Sequence, residues 1–161
     1  MAMEKKKILE ELKRKFPQEI KETSTLFRDE TLVIDGDSIL EIVTFLKNEP
    51  YEYTMLLDLT CVDYKGQEPR FEMVYHLFSL SRNHRLRIKT RLSEKELSID
   101  SLTSLWNNAN WLEREVFDMF GIHFKGHPDL KRIFMYDGFE GYPLRKDYPL
   151  RKRQPIIPLR K

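Results

Sequence analysis

Cysteine is almost absent from this sequence, which has only Cys61 among its 161 residues. A single cysteine excludes an intramolecular disulfide and fits a reducing compartment. It also excludes an iron–sulfur cluster held by this chain alone, because such clusters take about four protein ligands, most of them thiolates. We therefore predict an intracellular chain that carries no cluster of its own.

Long apolar runs and glycine-rich phosphate loops are also missing. No run approaches the roughly 20 apolar residues needed to cross a bilayer. The six glycines never form G-x-G-x-x-G or a P-loop. Residues 1–16 combine positive charge with no following apolar stretch, so we expect no secretory signal there. These absences predict a chain that neither binds a dinucleotide nor spans a membrane.

The formal net charge is only +2, but the charges are unevenly distributed. Residues 142–161 contain seven Lys or Arg against one acid, Asp147, whereas the rest of the chain has more acidic than basic residues. This asymmetry predicts a slightly acidic folded body followed by a segment that binds an acidic surface.

Hydrophobic periodicity predicts helices around the first strands. An amphipathic helix is expected over residues 3–16 and ends at Pro17. A second helix is expected because Ile39, Ile42, Val43 and Leu46 have helical spacing; we predict Asp37 as its cap and residues 48–50 as its end.

Four strands are predicted from β-branched and alternating residues. In the last of them, apolar residues alternate with Arg87, Lys89 and Arg91, which predicts one solvated basic face. The predicted strands lie at 31–34, 53–64, 70–80 and 86–90, with a five-residue loop at 65–69 and a turn near 81–83.

Two further helices are predicted after the strands. The first is expected over residues 101–106, with Asp100 as its N-terminal cap. The second is expected to begin at Trp111 and end at Gly121, because Asn110 and Glu113 have the spacing of an N-terminal cap. Helices before and after a run of strands predict an α+β fold, a two-layer sandwich in which helices cover one face of a mixed sheet.

The composition changes from Phe134 onward, where Pro, Gly and aromatic residues replace any periodicity. Pro-Leu-Arg-Lys occurs at 143–146, 149–152 and 158–161. Proline fixes φ and lacks a donor, so we predict an extended segment with little hydrogen bonding of its own, lying in a groove of a partner. The predicted organisation is an α+β domain over 1–135 and this C-terminal segment over 136–161.

A spaced pattern of charged and apolar residues follows residue 112: Glu113, Arg114, Glu115, Asp118, Met119, Phe120, His127, Lys131, Arg132 and Ile133. Together with the blocks at 57–64 and 137–150, this pattern resembles the C subunit of NADH-quinone oxidoreductase (respiratory complex I, the mitochondrial iron–sulfur protein 3 family). Tyr142 departs from the family, since many members have His there.

The resemblance implies a cofactor-free structural component in the peripheral arm of a membrane-bound NADH:quinone oxidoreductase, a translocase that couples electron transport to quinone with proton translocation. NAD, FMN, iron–sulfur clusters and quinone would be bound by partner subunits. Those partners would be a hydrogenase-like quinone-side subunit and iron–sulfur subunits, on the cytoplasmic side of the cell membrane. Related membrane-bound hydrogenase or ferredoxin-linked complexes share the fold, so such a complex is the alternative.

The charged triplet Glu113-Arg114-Glu115 does not have the spacing of a catalytic carboxylate pair. Residues at i and i+2 face nearly opposite sides of a helix, so we assign no catalytic residue to this chain. We expect Arg114 and Asp118 to pair along the surface, and the triplet to form a docking face that orders Arg145 or an arginine of a partner. The predicted partner contacts are Glu113, Arg114, Glu115, Asp118, His127, Lys131, Arg132, Pro143, Arg145, Lys146, Tyr148 and Arg151.

Two other classes of function remain open. A metal-dependent hydrolase would use His123, His127 and Asp129, but Gly126 and Pro128 break any common helix face, so we predict no metal site and place His127 at an interface. A nucleic-acid-binding module would use the basic, tyrosine-containing segment, but the acidic body and the absence of a known motif argue against it.

Overall fold

A computed structural model describes residues 2–27, 29–151 and 153–154. These residues form three α-helices, one 3-10 helix at Gly36–Ser38 and seven strands. The helices are α1 (Ala2–Lys15), α2 (Ile39–Lys47) and α3 (Ala109–Phe120). The strands are β1 (Ile20–Leu26), β2 (Asp29–Ile34), β3 (Met55–Asp63), β4 (Phe71–Ser79), β5 (His84–Leu92), β6 (Ser98–Asp100) and β7 (His123–Lys125).

The main sheet has the strand order β1-β2-β5-β4-β3. β2 and β5 are parallel, and the other neighbours are antiparallel, so the sheet is mixed. β6 and β7 form a separate parallel pair. The predicted α+β sandwich is therefore confirmed.

The hydrophobic core lies between the helices and one face of the sheet. Ile39, Ile42 and Leu46 of α2 are fully buried, as their helical spacing predicts. Leu32 of β2 and Ile88 of β5 face each other in register and are also fully buried. The same alternation leaves Arg85, Arg87, Lys89 and Arg91 of β5 on the opposite face. We call that side, with His76 and Thr60 in register beside it, the open face.

Three predicted caps are wrong because other polar groups satisfy the chain there. The amide of Asp37 donates to the carboxylate of Asp35, which caps the 3-10 helix, and the N-cap position of α2 is Ser38 and not Asp37. Residues 101–106 form turns, since Asp100 ends a strand that pairs with β7. Helix α3 begins at Ala109, one residue before Asn110, and the Glu113 carboxylate is bound elsewhere.

Periodicity does not predict β1, β6 or β7. β1 has a largely exposed, polar sequence and forms because it pairs with β2 along its length. β6 and β7 are three residues each, too short for alternation to register. These strands depend on tertiary pairing.

Candidate docking site around helix α3

Helix α3 carries the charged triplet, and contacts with other elements fix both of its ends. The Asn108 side chain does not cap it; Nδ2 donates instead to the Leu56 carbonyl at 2.8 Å. The helix ends at Gly121, which has the left-handed φ of 76°. A Cβ at Gly121 would lie 2.5 Å from the Tyr142 ring, so the C-terminal segment lies directly against this helix end.

Glu113 points into the protein and has no exposed surface. Its carboxylate accepts a hydrogen bond from Ser101 Oγ at 2.7 Å and another from the Leu102 amide at 2.6 Å. Burial raises the pKa of Glu113 to about 7, although both hydrogen bonds act in the opposite direction. Glu113 therefore holds the 101–102 turn against α3 and is not part of a solvated helix face.

Asp118 is also fully buried, and it organises the chain after β7. Oδ2 accepts from the amides of Ile133, Phe134 and Met135 at 3.0, 2.8 and 2.9 Å, and Oδ1 accepts from Arg132 Nη1 at 2.9 Å. Burial alone would raise the pKa of Asp118, but these donors outweigh it and hold the pKa below its ordinary value.

Arg114 does not pair with Asp118, so that prediction is wrong. Its guanidinium donates to the carbonyls of Lys131 at 3.0 Å and Arg132 at 3.2 Å. It also lies 5.0 Å from the centroid of the Trp111 ring. Arg114 and Asp118 thus bind the same short loop through its carbonyls and its amides respectively.

Arg145 closes the C-terminal end of α3. Its Nε donates to the Phe120 carbonyl at 2.6 Å, and the Leu144 amide donates to the Met119 carbonyl at 3.2 Å. Cations and amide donors at this position satisfy the last carbonyls of a helix. The expectation that Glu113 of the charged triplet orders Arg145 is wrong, because the Glu113 carboxylate binds Ser101 and Leu102 while Arg145 binds the Phe120 carbonyl. Contact between the triplet and an arginine of a partner stays a prediction.

A second charge cluster joins the C-terminal segment to the sheet. Arg70 donates to both oxygens of Asp63 at 2.8 Å and to Glu94 at 2.7 Å, and its Nη2 lies 3.0 Å from Asp147. The Lys146 amide donates to Asp63 at 2.8 Å. These hydrogen bonds lower the pKa of Asp63, with the Arg70 guanidinium as the main cause. No sequence pattern indicates this cluster beyond the charges themselves, because its members come from four separate segments.

His127 serves a local structural role in this conformation. Its Nε2 lies 3.2 Å from the Asn110 carbonyl, and its Nδ1 accepts from the Asp129 amide at 3.0 Å. No group of three or more His, Cys, Asp or Glu with metal-binding geometry occurs within the described part of the chain.

The described part of the C-terminal segment is a series of hydrogen-bonded turns without helix or strand. The amides of Phe139, Arg145 and Tyr148 donate to carbonyls three residues earlier, so the expectation of little internal hydrogen bonding is wrong here. The Phe139 and Tyr148 rings stack at 5.9 Å, and Gln154 binds the Tyr148 hydroxyl. The third Pro-Leu-Arg-Lys repeat, at 158–161, lies outside the described residues.

Several apolar side chains remain exposed around this region. Trp111 is 60% exposed, Phe134 61%, Leu144 54% and Leu150 99%. We call these four residues the apolar docking surface. Arg114 links two of them, because it contacts the Trp111 ring and the 131–132 backbone that leads to Phe134. The sequence does not show that these four side chains are exposed.

The predicted partner contacts divide into two groups. Glu113 and Asp118 have no exposed surface, so the expectation that they touch a partner is wrong for this conformation. Contact through the other ten stays a prediction. Glu115, Lys131, Lys146 and Arg151 are exposed, Arg114 is largely buried, and His127, Arg132, Pro143, Arg145 and Tyr148 are half-buried.

No helix among the described residues is both long and apolar enough to cross a membrane.

Comparison with known proteins supports the resemblance over most of the chain. The C subunit of NADH-quinone oxidoreductase from Citrifermentans bemidjiense is 48% identical over 139 residues, covering 86% of both chains. The corresponding protein of Roseiflexus castenholzii is 44% identical over 151 residues, covering 93% of this chain and 87% of its own.

Two solved structures share the fold. The trypsin-resistant fragment (1–134) of Nqo5 matches with a TM-score of 0.69 and 30% identity, covering 81% of this chain and all of the fragment. A chain of the membrane-bound sulfane sulfur reductase, an archaeal respiratory membrane complex, matches with a TM-score of 0.76 and 25% identity, covering 91% of this chain and 86% of its own. A family model described as "Respiratory-chain NADH dehydrogenase, 30 Kd subunit" matches residues 32–154. This chain therefore belongs to the family of the 30 kDa subunit of respiratory-chain NADH dehydrogenase.

Proposed function

We propose that this chain is a structural subunit in the peripheral arm of an NADH:quinone oxidoreductase and that it contributes no catalytic residue. In this proposal NAD, FMN, iron–sulfur clusters and quinone are bound by neighbouring subunits. The assembly would lie on the cytoplasmic side of the cell membrane and couple electron transfer with proton translocation. The chain would hold the quinone-side and iron–sulfur subunits in register.

This proposal rests on the observation that two signature residues, Asp118 and Glu113, bind other parts of the same chain. Asp118 accepts four hydrogen bonds from residues 132–135, and Glu113 accepts two from residues 101–102. A general acid or base must reach a substrate, and these carboxylates are fully occupied and buried. Their role is therefore structural: they hold the backbone of this surface in place.

The apolar docking surface is the part of the chain that we propose meets the partner. Aromatic and arginine side chains are the residue types that dominate binding energy at protein interfaces. Trp111 and Phe134 are such residues: Arg114 packs against the Trp111 ring, and Asp118 binds the Phe134 amide. A pre-organised surface of this kind loses little conformational entropy when a partner binds.

We also propose the division of the chain near residue 135. The body would fold as one unit, and residues 136–161 would bind the body on one side and the partner on the other. The inner contacts of this arrangement are those of Arg145 and Asp147. The 81% coverage by a trypsin-resistant fragment of Nqo5 supports a stable body.

A component of a related complex is the second candidate. It is favoured by the match to a chain of the sulfane sulfur reductase, which covers more of this chain than the Nqo5 fragment does. The identity of 48% to the C subunit of an NADH-quinone oxidoreductase, against 25% to the reductase chain, favours the NADH-linked complex.

Affinity purification of the tagged full-length chain from its host tests the proposal. We expect the wild-type chain to be recovered with iron–sulfur subunits. Because charged residues buried against an apolar partner surface are strongly unfavourable, Trp111→Glu with Phe134→Glu should remove most of that recovery. Mass spectrometry of the eluate measures it.

The matched control is Leu26→Glu, at a side chain of similar exposure (66%) in the β1–β2 hairpin. It should leave recovery unchanged. Equal recovery of the wild type and the double variant would contradict the assignment of the docking surface, and a wild-type chain that never recovers iron–sulfur subunits would contradict the proposed function itself.

A further inference from the structure

The C-terminal segment begins with a duplicated unit of five residues. Tyr-Pro-Leu-Arg-Lys occurs at 142–146 and again, six residues later, at 148–152. The first copy lies against the end of a helix of this chain. Because the second copy has the same side chains in the same order, the contacts of the first copy indicate what the second copy binds.

The first copy caps the C-terminal end of α3. The Leu144 amide donates to the Met119 carbonyl at 3.2 Å, and Arg145 Nε donates to the Phe120 carbonyl at 2.6 Å. The Arg145 guanidinium also lies 4.5 Å from the centroid of the Tyr142 ring. A helix ends with about four carbonyls that its own amides do not reach, and that end carries a partial negative charge. An amide and a guanidinium together satisfy both properties.

A glycine lies beneath the tyrosine ring in each copy. A Cβ at Gly121 would lie 2.5 Å from the Tyr142 ring, and a Cβ at Gly141 would lie 3.0 Å from the Tyr148 ring. Both glycines have left-handed φ values, 76° and 97°. The first tyrosine thus packs on the end of α3, whereas the second packs on the backbone of the C-terminal segment itself.

The second copy is anchored on both sides. The Tyr148 ring stacks on Phe139 at 5.9 Å, and its hydroxyl accepts from Gln154 Nε2. Gln154 also donates to the Glu140 carbonyl at 3.1 Å, and its Oε1 accepts from the Glu140 amide at 3.2 Å. The chain is therefore held at Tyr148 and at Gln154, before and after the Leu-Arg pair of the unit, which lowers the entropy lost when that pair binds.

The Leu-Arg pair of the second copy is presented to the outside. Leu150 is 99% exposed, and Arg151 is exposed as well. Residues 148–154 contain three cations and no acid. The acid that precedes them, Asp147, lies 3.0 Å from Arg70 and is already paired, so Glu140 is the single acid of the facing loop. An apolar side chain beside net positive charge complements a helix end, where an apolar contact with the last turn commonly accompanies capping.

We propose that the second copy caps the C-terminal end of an α-helix in a neighbouring subunit, as the first copy caps α3. The Leu150 amide and the Arg151 guanidinium would donate to the last carbonyls of that helix, and the Leu150 side chain would cover its last turn. The ligand is a helix end and not an acidic side-chain surface. This inference rests on the proposed function, because it assumes a multi-subunit complex, and it names what Leu150 of the apolar docking surface contacts there.

Electron cryo-microscopy of the assembled complex, purified through the tagged full-length chain, shows the contact directly. We expect the Leu150 amide and the Arg151 guanidinium within about 3.2 Å of carbonyls in the last turn of a helix of another subunit. If Arg151 instead binds a carboxylate, a nucleic acid, a lipid or a second copy of this chain, or reaches no other molecule, the inference is overturned.

Charge reversal at matched positions measures the contribution of the guanidinium. Arg151→Glu should lower retention of the chain in the complex about tenfold, because a carboxylate beside the last carbonyls of a helix is repelled. Arg153→Glu makes the same change of charge at another exposed side chain, one residue beyond the unit, and should leave retention within about twofold. A thermal melt of each isolated variant checks that the fold is intact.

The outcomes separate this inference from the proposed function. Equal losses for the two variants would indicate a general attraction to an acidic surface and overturn the inference, as would normal retention of Arg151→Glu. In either case a wild-type chain recovered with iron–sulfur subunits leaves the proposed function standing. A wild-type chain that joins no complex overturns both.

Discussion

The two ends of the main sheet hold buried charges in different ways. At the end where β3 and β5 finish, Arg70 meets three carboxylates at hydrogen-bonding distances, and both oxygens of Asp63 are bound. At the other end Glu30 lies 3.3 Å from His84, which also contacts the Tyr53 hydroxyl. Among the described residues, neither Glu30 Oε2 nor His84 Nε2 has a partner of hydrogen-bond geometry.

The two clusters also differ in the chain segments that surround them. The Arg70 cluster binds the C-terminal segment through Asp147 and Lys146. The His84 cluster lies near turns where Phe27 and Asn83 adopt left-handed φ values of 51° and 46°, a conformation that Asn tolerates and that is unfavourable for Phe. A buried charge stabilises a fold only when its partners are well placed. The first cluster should therefore be essential to stability and the second should not.

The largest expected effect is at Arg70. Arg70→Met leaves the Asp63 carboxylate buried without its bidentate partner, and breaking such a pair costs about 3–5 kcal/mol. Chemical denaturation of the two proteins measures the free energy of unfolding. Lys21→Met is the control, because Lys21 and Asp35 form an exposed pair whose loss costs about 0–1 kcal/mol. Equal losses at the two sites would contradict the comparison.

Glu113 is an intermediate case, a buried carboxylate held by two donors without a cation. Its pKa of about 7 in the folded chain lies above its ordinary value of 4.5, so the folded chain binds the proton more tightly than the unfolded chain. The stabilisation is fully present below about pH 4.5 and is lost as the pH rises through about 7. The loss should be roughly 3 kcal/mol.

Unfolding free energies at pH 5 and pH 8 test this expectation. Glu113→Gln keeps an acceptor for the Leu102 amide and should remove most of the dependence on pH, whereas Glu115→Gln, at an exposed neighbour, should leave it unchanged. If the Gln variant keeps the full slope between these values, another group is responsible for it.

A smaller effect is expected where the C-terminal segment meets the Arg70 cluster. Asp147 is 43% exposed, so Asp147→Asn should lower the free energy of unfolding by only about 0.2–1 kcal/mol. Local opening should nevertheless increase, because the amide cannot bind Arg70 as an ion pair. Trypsin cleavage after Arg145, Lys146 or Arg151 should become faster than cleavage in the body. An unchanged rate would show that the other contacts of the segment, such as those of Leu144, Arg145 and Lys146, are enough to hold it.

The smallest effect is expected at the other end of the sheet. Glu30→Gln removes the charge and supplies an amide that can donate to His84 Nε2, so the free energy of unfolding should stay within about 1 kcal/mol or increase. Thermal and chemical denaturation measure it. A loss as large as that of Arg70→Met would make the two clusters equivalent and reject the comparison.

Periodicity predicts the parts of the fold that depend on short-range pattern. Helix α2 follows from the spacing of Ile39, Ile42 and Leu46, and β5 follows from the alternation of cations with apolar residues. Both elements have one buried and one polar face, so the sequence alone identifies the side that packs inward. β1 lacks this contrast and escapes prediction, because the hydrogen bonds of β2 determine its position.

The sequence predicts where the candidate site lies along the chain, but not how its side chains are arranged. Charged residues are normally exposed, so their pattern assigns Glu113 and Asp118 to a docking face. Their buried positions depend on partners that no helical spacing reveals: Ser101 and Leu102 before the helix and residues 132–135 after it. For the same reason the exposure of Phe134 is not predictable, since it depends on where Arg114 and Asp118 hold the 131–135 loop.

The hydrogen bonds of Asp118 also determine when the domain can be completed during synthesis. Its three amide donors belong to residues 133–135 and leave the ribosome after the carboxylate does. Until then α3 carries a charge with no partner and cannot settle in its final place without burying it. The last helix of the body can therefore take its final place only once residues 133–135 have been synthesised and can bind Asp118.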